Sequence, residues 1–440
     1  MYTNKQIWSV SFPILLSLLA QNIINVTDTA FLGHVGEVAL GASAMGGLFY
    51  ICVFTVAFGF STGSQIVIAR RNGEERYTDV GPVMIQGSMF LLAVALFLFG
   101  FTQAFGGDIM RLLISSEPIY EGTMEFLEWR IYGFFFAAVN VMFRALYIGI
   151  TRTKVLTINA AVMALINVIL DYALIFGNFG LPEMGIKGAA IASVLAEAGS
   201  VCFFLMYTYA TVDLKRYGLN HLRSFNWDLL KRVLSISSFT MLQYFLSMAI
   251  WFVFFVAVER LGQRELAIAN IVRSIYLILL IPVHALGTTS NSLVSNTIGA
   301  GGAQYVIPLI NKIGRLSFFI MLGLVTVSVL FTQPLLSIYT NEQALIAESV
   351  PSVYVICFAM LIASVAGIAF NGISGTGNTQ AALLLEMITL VAYGAYILIV
   401  GIWLKAPVEI CFTIEILYYT LLLITSYIYL KKAKWQHKRI

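Results

Sequence analysis

The chain has 440 residues, 59% hydrophobic and only 11% charged, with a mean hydropathy of +0.87. Soluble proteins carry about 25% charged residues, so a soluble globular domain is excluded; apolar runs of about 20 residues, each able to cross a ~30 Å hydrocarbon core, recur throughout. The net charge of +4 reflects basic loops and not a nucleic-acid surface, because no stacking platform or basic groove motif accompanies it.

The first apolar stretch follows MYTNKQIW directly and shows no small-residue cleavage site, so it reads as a retained span. Twelve spans are predicted, at 8–32, 42–69, 82–106, 127–150, 155–179, 187–210, 234–259, 266–296, 311–333, 350–374, 380–403 and 408–430. Lys5, Arg70, Arg71, Arg76, Arg152, Lys154, Lys215, Arg216, Arg223, Lys231, Arg232, Lys312, Arg315 and the tail KKAKWQHKR all fall on one side. The positive-inside rule makes that side cytoplasmic, with both termini inside. The opposite loops are short or acid-rich, with Asp108, Glu117, Glu121 and Glu125 in one of them. Cys52, Cys202, Cys357 and Cys411 lie in apolar runs without metal or disulfide spacing and read as small packing residues.

The longest polar stretch, 211–232, separates an N-terminal lobe (1–210) from a C-terminal lobe (233–430), which a basic tail (431–440) follows. GEVALGASAMGGLFYICVFTVAFGFSTGSQIVIARRNGEE resembles GQRELAIANIVRSIYLILLIPVHALGTTSNSLVSNTIGAGG. Gly36 aligns with Gly262 and Leu40 with Leu266, and after a small insertion Gly59 aligns with Gly287 and Gly73 with Gly301. YIGITRTKVLTINAA likewise matches NGISGTGNTQAALL, placing Thr153 on Thr379. The expectation is an all-α polytopic membrane protein: twelve transmembrane helices in two six-helix lobes related by a pseudo-two-fold axis along the membrane normal. A cavity between such lobes is the default place for a solute.

Within this apolar frame the intramembrane acids stand out, because an unpaired carboxylate in hydrocarbon costs at least about 2.5–3.5 kcal/mol. Asp28 either reaches the interface or points into a wet interior. Gln21, Asn25 and Asp28 follow i, i+4, i+7 spacing and form one polar stripe, which favours the interior. In the fifth span Asn167 and Asp171, at i and i+4, share a face and offer a carbonyl and a carboxylate. Shifted by 226, these three positions fall on Phe254, Tyr393 and Ile397. The second half keeps the framework without the acids, so they serve a task in the first lobe.

VTDTAFLGHVGEVALGA resembles the first-span signature of the multidrug and toxic compound extrusion (MATE) transporters, and NVILD, GTGNT, the duplicated second spans and the twelve-span length agree with it. The resemblance covers nearly the whole chain and is greatest to the DinF branch. It implies two lobes around a cleft and export of organic, mostly cationic compounds in exchange for H⁺ or Na⁺, without a cofactor. Asp28, Asn167 and Asp171 occupy that branch's coupling positions, with Na⁺ as one candidate ion there, and Ser193 stands where a hydroxyl is common. The NorM branch places acids where this chain has Gln243 and Asn371, so a second-lobe cation site of that kind is not expected.

Electrostatics supply a mechanism, since two carboxylates in a low-dielectric pocket cannot both stay ionised cheaply, and a proton, Na⁺ or cationic solute neutralises them. Glu197, one turn after Ser193, either faces the same cleft or packs through a hydrogen bond. Arg144 is expected to snorkel, Arg273 and Glu415 to form a structural ion pair, and Glu386 has no evident partner. His34, His221, His284 and His437 are scattered, and Tyr132, Phe134, Phe135 and Phe136 serve packing or planar cations.

The expected protein is thus a monomeric antiporter of a bacterial cytoplasmic membrane, with small organic substrates and lipid as partners and no nucleic acid. Two alternatives stand beside it. A lipid-linked oligosaccharide flippase of the same superfamily needs a cationic cleft, whereas this one reads acidic. A membrane-embedded enzyme needs a nucleophile or metal cluster, and no HExxH, GxSxG or paired Cys/His spacing occurs.

Overall fold

In hydrocarbon no water satisfies backbone N–H and C=O groups, so apolar spans must close their own hydrogen bonds as helices. The computed structural model, which describes residues 2–220 and 225–436, contains no strand among them. His221, Arg223, His437 and the end of the basic tail lie outside the described residues. Helices α1 (Asn4–Val35), α2 (Glu37–Gly73), α3 (Val80–Leu113), α4 (Glu117–Arg130), α5 (Gly133–Gly149), α6 (Lys154–Phe176) and α7 (Gly185–Thr211) form the first half. The second half holds α8 (Trp227–Glu259), α9 (Gln263–Gly299), α10 (Val306–Leu330), the short α11 (Thr332–Ser337), α12 (Gln343–Gly375), α13 (Thr379–Ile397) and α14 (Val408–Lys432).

Eleven helices among the described residues are long and apolar enough to span, and α4 with α5 makes a twelfth when taken as one broken span. The fourth predicted span, 127–150, is therefore not a straight helix: the chain breaks after Arg130 and bends by 55°. Two compact units result, Leu16–Met241 and Met1–Leu15 with Leu242–Ile440. In the first, α2 packs on α4 and α5, and α6 on α7; in the second, α12 is central, against α9, α10 and α14.

The repeat is sharper than glycine matching indicates. Helices α2 and α9 both have 37 residues and begin at 37 and 263, 226 apart. Single 3₁₀ turns follow at Tyr77–Asp79 and Ala303–Tyr305, and α3 and α10 begin at 80 and 306, again 226 apart. Gly36 and Gly262, which precede α2 and α9, have φ of 148° and 150°, a backbone that side chains with a Cβ rarely adopt. No insertion falls within this stretch, so pairing Gly59 with Gly287 and Gly73 with Gly301 is corrected: position 59 corresponds to Ala285 and position 73 to Gly299.

Candidate functional site

A cavity of about 660 Å³ lies within the unit formed by Leu16–Met241. The i, i+4, i+7 spacing of Gln21, Asn25 and Asp28 brings all three to its wall along α1. Phe54, Phe58 and Phe126 supply aromatic surface, whereas Tyr132, Phe134, Phe135 and Phe136 are absent from the lining.

Behind Asp28 stand Asn167 and Asp171 of α6, 1% and 0% exposed. Between two ionised carboxylates a carboxamide turns its NH₂ toward them, because its carbonyl would face only acceptors. In that orientation Asn167 donates to Asp28 Oδ1 at 2.8 Å and to Asp171 Oδ2 at 3.2 Å. Asn167 thus bridges the two acids, and a proton on either lowers the cost of holding both in a low-dielectric site. Asp171 Oδ1 has no hydrogen-bond partner among the described residues. The acids are not equivalent: Asp28 faces the cavity, and Asp171 is enclosed behind it. Ser193 lines the cavity on α7 without bonding either aspartate.

A second cluster centres on Arg130, which the sequence reading overlooks. Its guanidinium grips Glu197 in two places, Nη2 to Oε1 at 2.6 Å and Nη1 to Oε2 at 3.0 Å. It also lies 3.7 Å over the Tyr50 ring, which stacks at 4.7 Å on Phe134. The break after Arg130 positions this pair, and Gly133 makes room for it, since a Cβ there would overlap the Arg130 and Glu197 side chains. Gly133→Ala should therefore cost about 1–3 kcal/mol, the usual penalty of overpacking, and lower the thermal unfolding midpoint of the purified protein; an unchanged midpoint would refute the packing argument. The available signal was an arginine inside the fourth predicted span, two residues before Tyr132-Gly133.

Arg144 does not snorkel. It lines the cavity and donates to Ser17 Oγ of α1 at 3.3 Å. One turn earlier, Asn140 donates to the Glu197 carbonyl at 3.1 Å and accepts from Ser200 at 2.9 Å; Ser200 also meets Asn159 of α6. With Asp28 and Glu197 facing Arg130 and Arg144, the wall carries equal numbers of formal positive and negative charges. This cavity within the unit is therefore not acidic in formal charge.

In the other unit the expected Arg273–Glu415 pair does not form. Glu415 accepts from Tyr276 and Tyr393, each at 3.0 Å, while Arg273 lies 5.0 Å from the Phe255 ring and makes no ion pair among the described residues. Arg273 and Glu415 do line one small cavity with Trp251, Phe254 and Phe255, but the two tyrosine hydroxyls, not the guanidinium, take the carboxylate oxygens.

Residues 13–173 and 240–402 match the family model described as MatE. A probable multidrug resistance protein NorM of Thermotoga maritima is 23% identical over 394 residues, 88% of this chain and 83% of that one. Another, from Neisseria meningitidis serogroup B, is 24% identical over 348 residues, 77% of this chain and 74% of the other. Among solved structures, an outward-facing multidrug resistance MATE family transporter of the MOP superfamily aligns with a TM-score of 0.88 at 17% identity, covering 97% of this chain and 95% of that one.

Proposed function

Because the chain belongs to the MatE family of membrane transporters, we propose that it is a proton-coupled antiporter that exports organic, mostly cationic compounds across a bacterial cytoplasmic membrane. The observation that carries this reading is the Asp28–Asn167–Asp171 cluster, where one amide bridges an acid on the cavity wall and an acid enclosed behind it. A cationic solute seated beside Asp28 is held by the ionised carboxylate; a proton arriving there removes that charge and weakens the hold. Transport follows from this competition, because each ligand favours a different protonation state of the same group. A proton needs only the titratable carboxyl of Asp28, whereas Na⁺ needs several oxygen ligands around it.

The aromatic wall of Phe54, Phe58 and Phe126 gives planar cations a surface without a shaped motif. Ethidium efflux with the ion gradients clamped in turn tests the coupling. Efflux should stop when the proton gradient is collapsed and continue when only the Na⁺ gradient is removed. The reverse pattern would transfer the coupling role to Na⁺, and efflux indifferent to both gradients would overturn antiport.

A further inference from the structure

We propose that Glu386 is a proton-binding carboxyl of the unit containing residues 242–440, separate from the aspartate pair and not dependent on that reading. Glu386 sits on α13 at 3% exposure, between Ser247 of α8 and Tyr418 of α14. Both hydroxyls meet the same oxygen, Oε1, with Tyr418 at 3.3 Å, and Oε2 has no partner among the described residues. No Lys, Arg or His is paired with it among them, so an ionised Glu386 would be a buried charge without a counter-charge.

The hydrogen count points the same way. Ser247 carries one hydroxyl hydrogen, yet its Oγ touches both Glu386 Oε1 and, at 3.0 Å, the main-chain oxygen of Gln243. A carbonyl only accepts, and a helical serine ordinarily gives its hydrogen to the carbonyl four residues back. Ser247 gives its one hydrogen to Glu386 Oε1 or to that carbonyl and not to both, and a proton on the carboxyl satisfies the two contacts together.

Glu415 provides the contrast within the same unit. Each of its oxygens accepts a tyrosine hydroxyl, from Tyr276 and Tyr393, and Tyr276 is bonded at 2.7 Å to Tyr419. Tyr418 lies between the two acids: its hydroxyl meets Glu386, and its ring packs 5.0 Å from Tyr419 and 6.0 Å from Tyr393. The groups around Glu386 are thus Ser247 and Gln243 on α8 and Tyr418 on α14, with Tyr419, Glu415 and Arg273 beyond. The six-helix frame does not require this acid, because 226 residues earlier the chain has Ala160.

The test is infrared difference spectroscopy of the full chain in lipid as the buffer is moved from acid to alkaline, with the released proton counted by an indicator. Glu386→Gln should remove one protonated-carboxyl band and reduce the count by one proton per protein. Ser247→Ala and Tyr418→Phe, which leave the acid in place, should shift that band. Unchanged bands and proton count in Glu386→Gln, or a band that persists in alkaline buffer, would overturn the proposal. Should Glu386→Gln fail to fold, the two hydroxyl variants decide alone, and a band indifferent to both overturns it. Export by Asp28→Asn is read separately: normal export there removes the antiport reading and leaves Glu386 untouched.

Discussion

Asp28→Asn should reduce substrate export to the level of cells lacking the protein while leaving the folded chain in the membrane. The substitution nearly preserves shape, so packing changes little. Its chemical effect is large, because Asp28 is the member of the cluster that reaches the cavity wall, whereas Asp171 is fully enclosed. An asparagine there cannot hold a proton or a negative charge, and its own NH₂ would face the NH₂ that Asn167 turns toward it. Competition between solute and proton disappears with the carboxyl. The check is efflux per molecule of membrane-inserted protein, with size-exclusion chromatography to confirm the fold. Export at the normal rate would remove Asp28 from the mechanism.

The second large effect is on stability. Arg130→Ala should cost about 3–5 kcal/mol, because it leaves Glu197 as a nearly buried carboxylate with its counter-charge gone. The side chains of Arg130 and Glu197 are only 13% and 9% exposed, so solvent does little to replace the lost partner. Removing both charges, as in Arg130→Met with Glu197→Met, should recover most of the loss, since the cost lies in the unpaired ion more than in the missing bond. Thermal unfolding of the two variants beside the parent protein tests this. A double variant no more stable than Arg130→Ala would show that the pair does more than neutralise itself.

Much of this architecture was legible because hydrocarbon imposes a simple grammar: spans must be long, apolar and helical. The stripe of Gln21, Asn25 and Asp28 could be read because helical periodicity fixes which residues share a face. Azimuth between helices has no such code. Depth in the membrane placed Arg273 beside Glu415, and the two do line one small cavity, yet Tyr276 of α9 and Tyr393 of α13 hold the carboxylate. Arg130 was missed for another reason: its importance comes from a helix break, which the apolar pattern of 127–150 conceals. The repeat could have revealed one further feature. Tyr50 and Tyr276, 226 residues apart, each meet a glutamate on the last long helix of their own half, Glu197 of α7 and Glu415 of α14. Aligning Gly59 with Gly287 and Gly73 with Gly301 shifted the register by two residues within α2 and α9, although the offset of 226 holds from end to end of both helices.

In the proposed mechanism a solute cation and a proton compete for the Asp28–Asn167–Asp171 cluster. Proton release on binding measures this competition directly: an organic cation such as ethidium is added to the purified protein in weakly buffered lipid, with a pH indicator present and Na⁺ held constant. The parent chain should release protons as the cation binds, and Asp28→Asn should release none from this cluster. Equal release from both, or binding by the parent chain with no release at any starting pH, would contradict the competition.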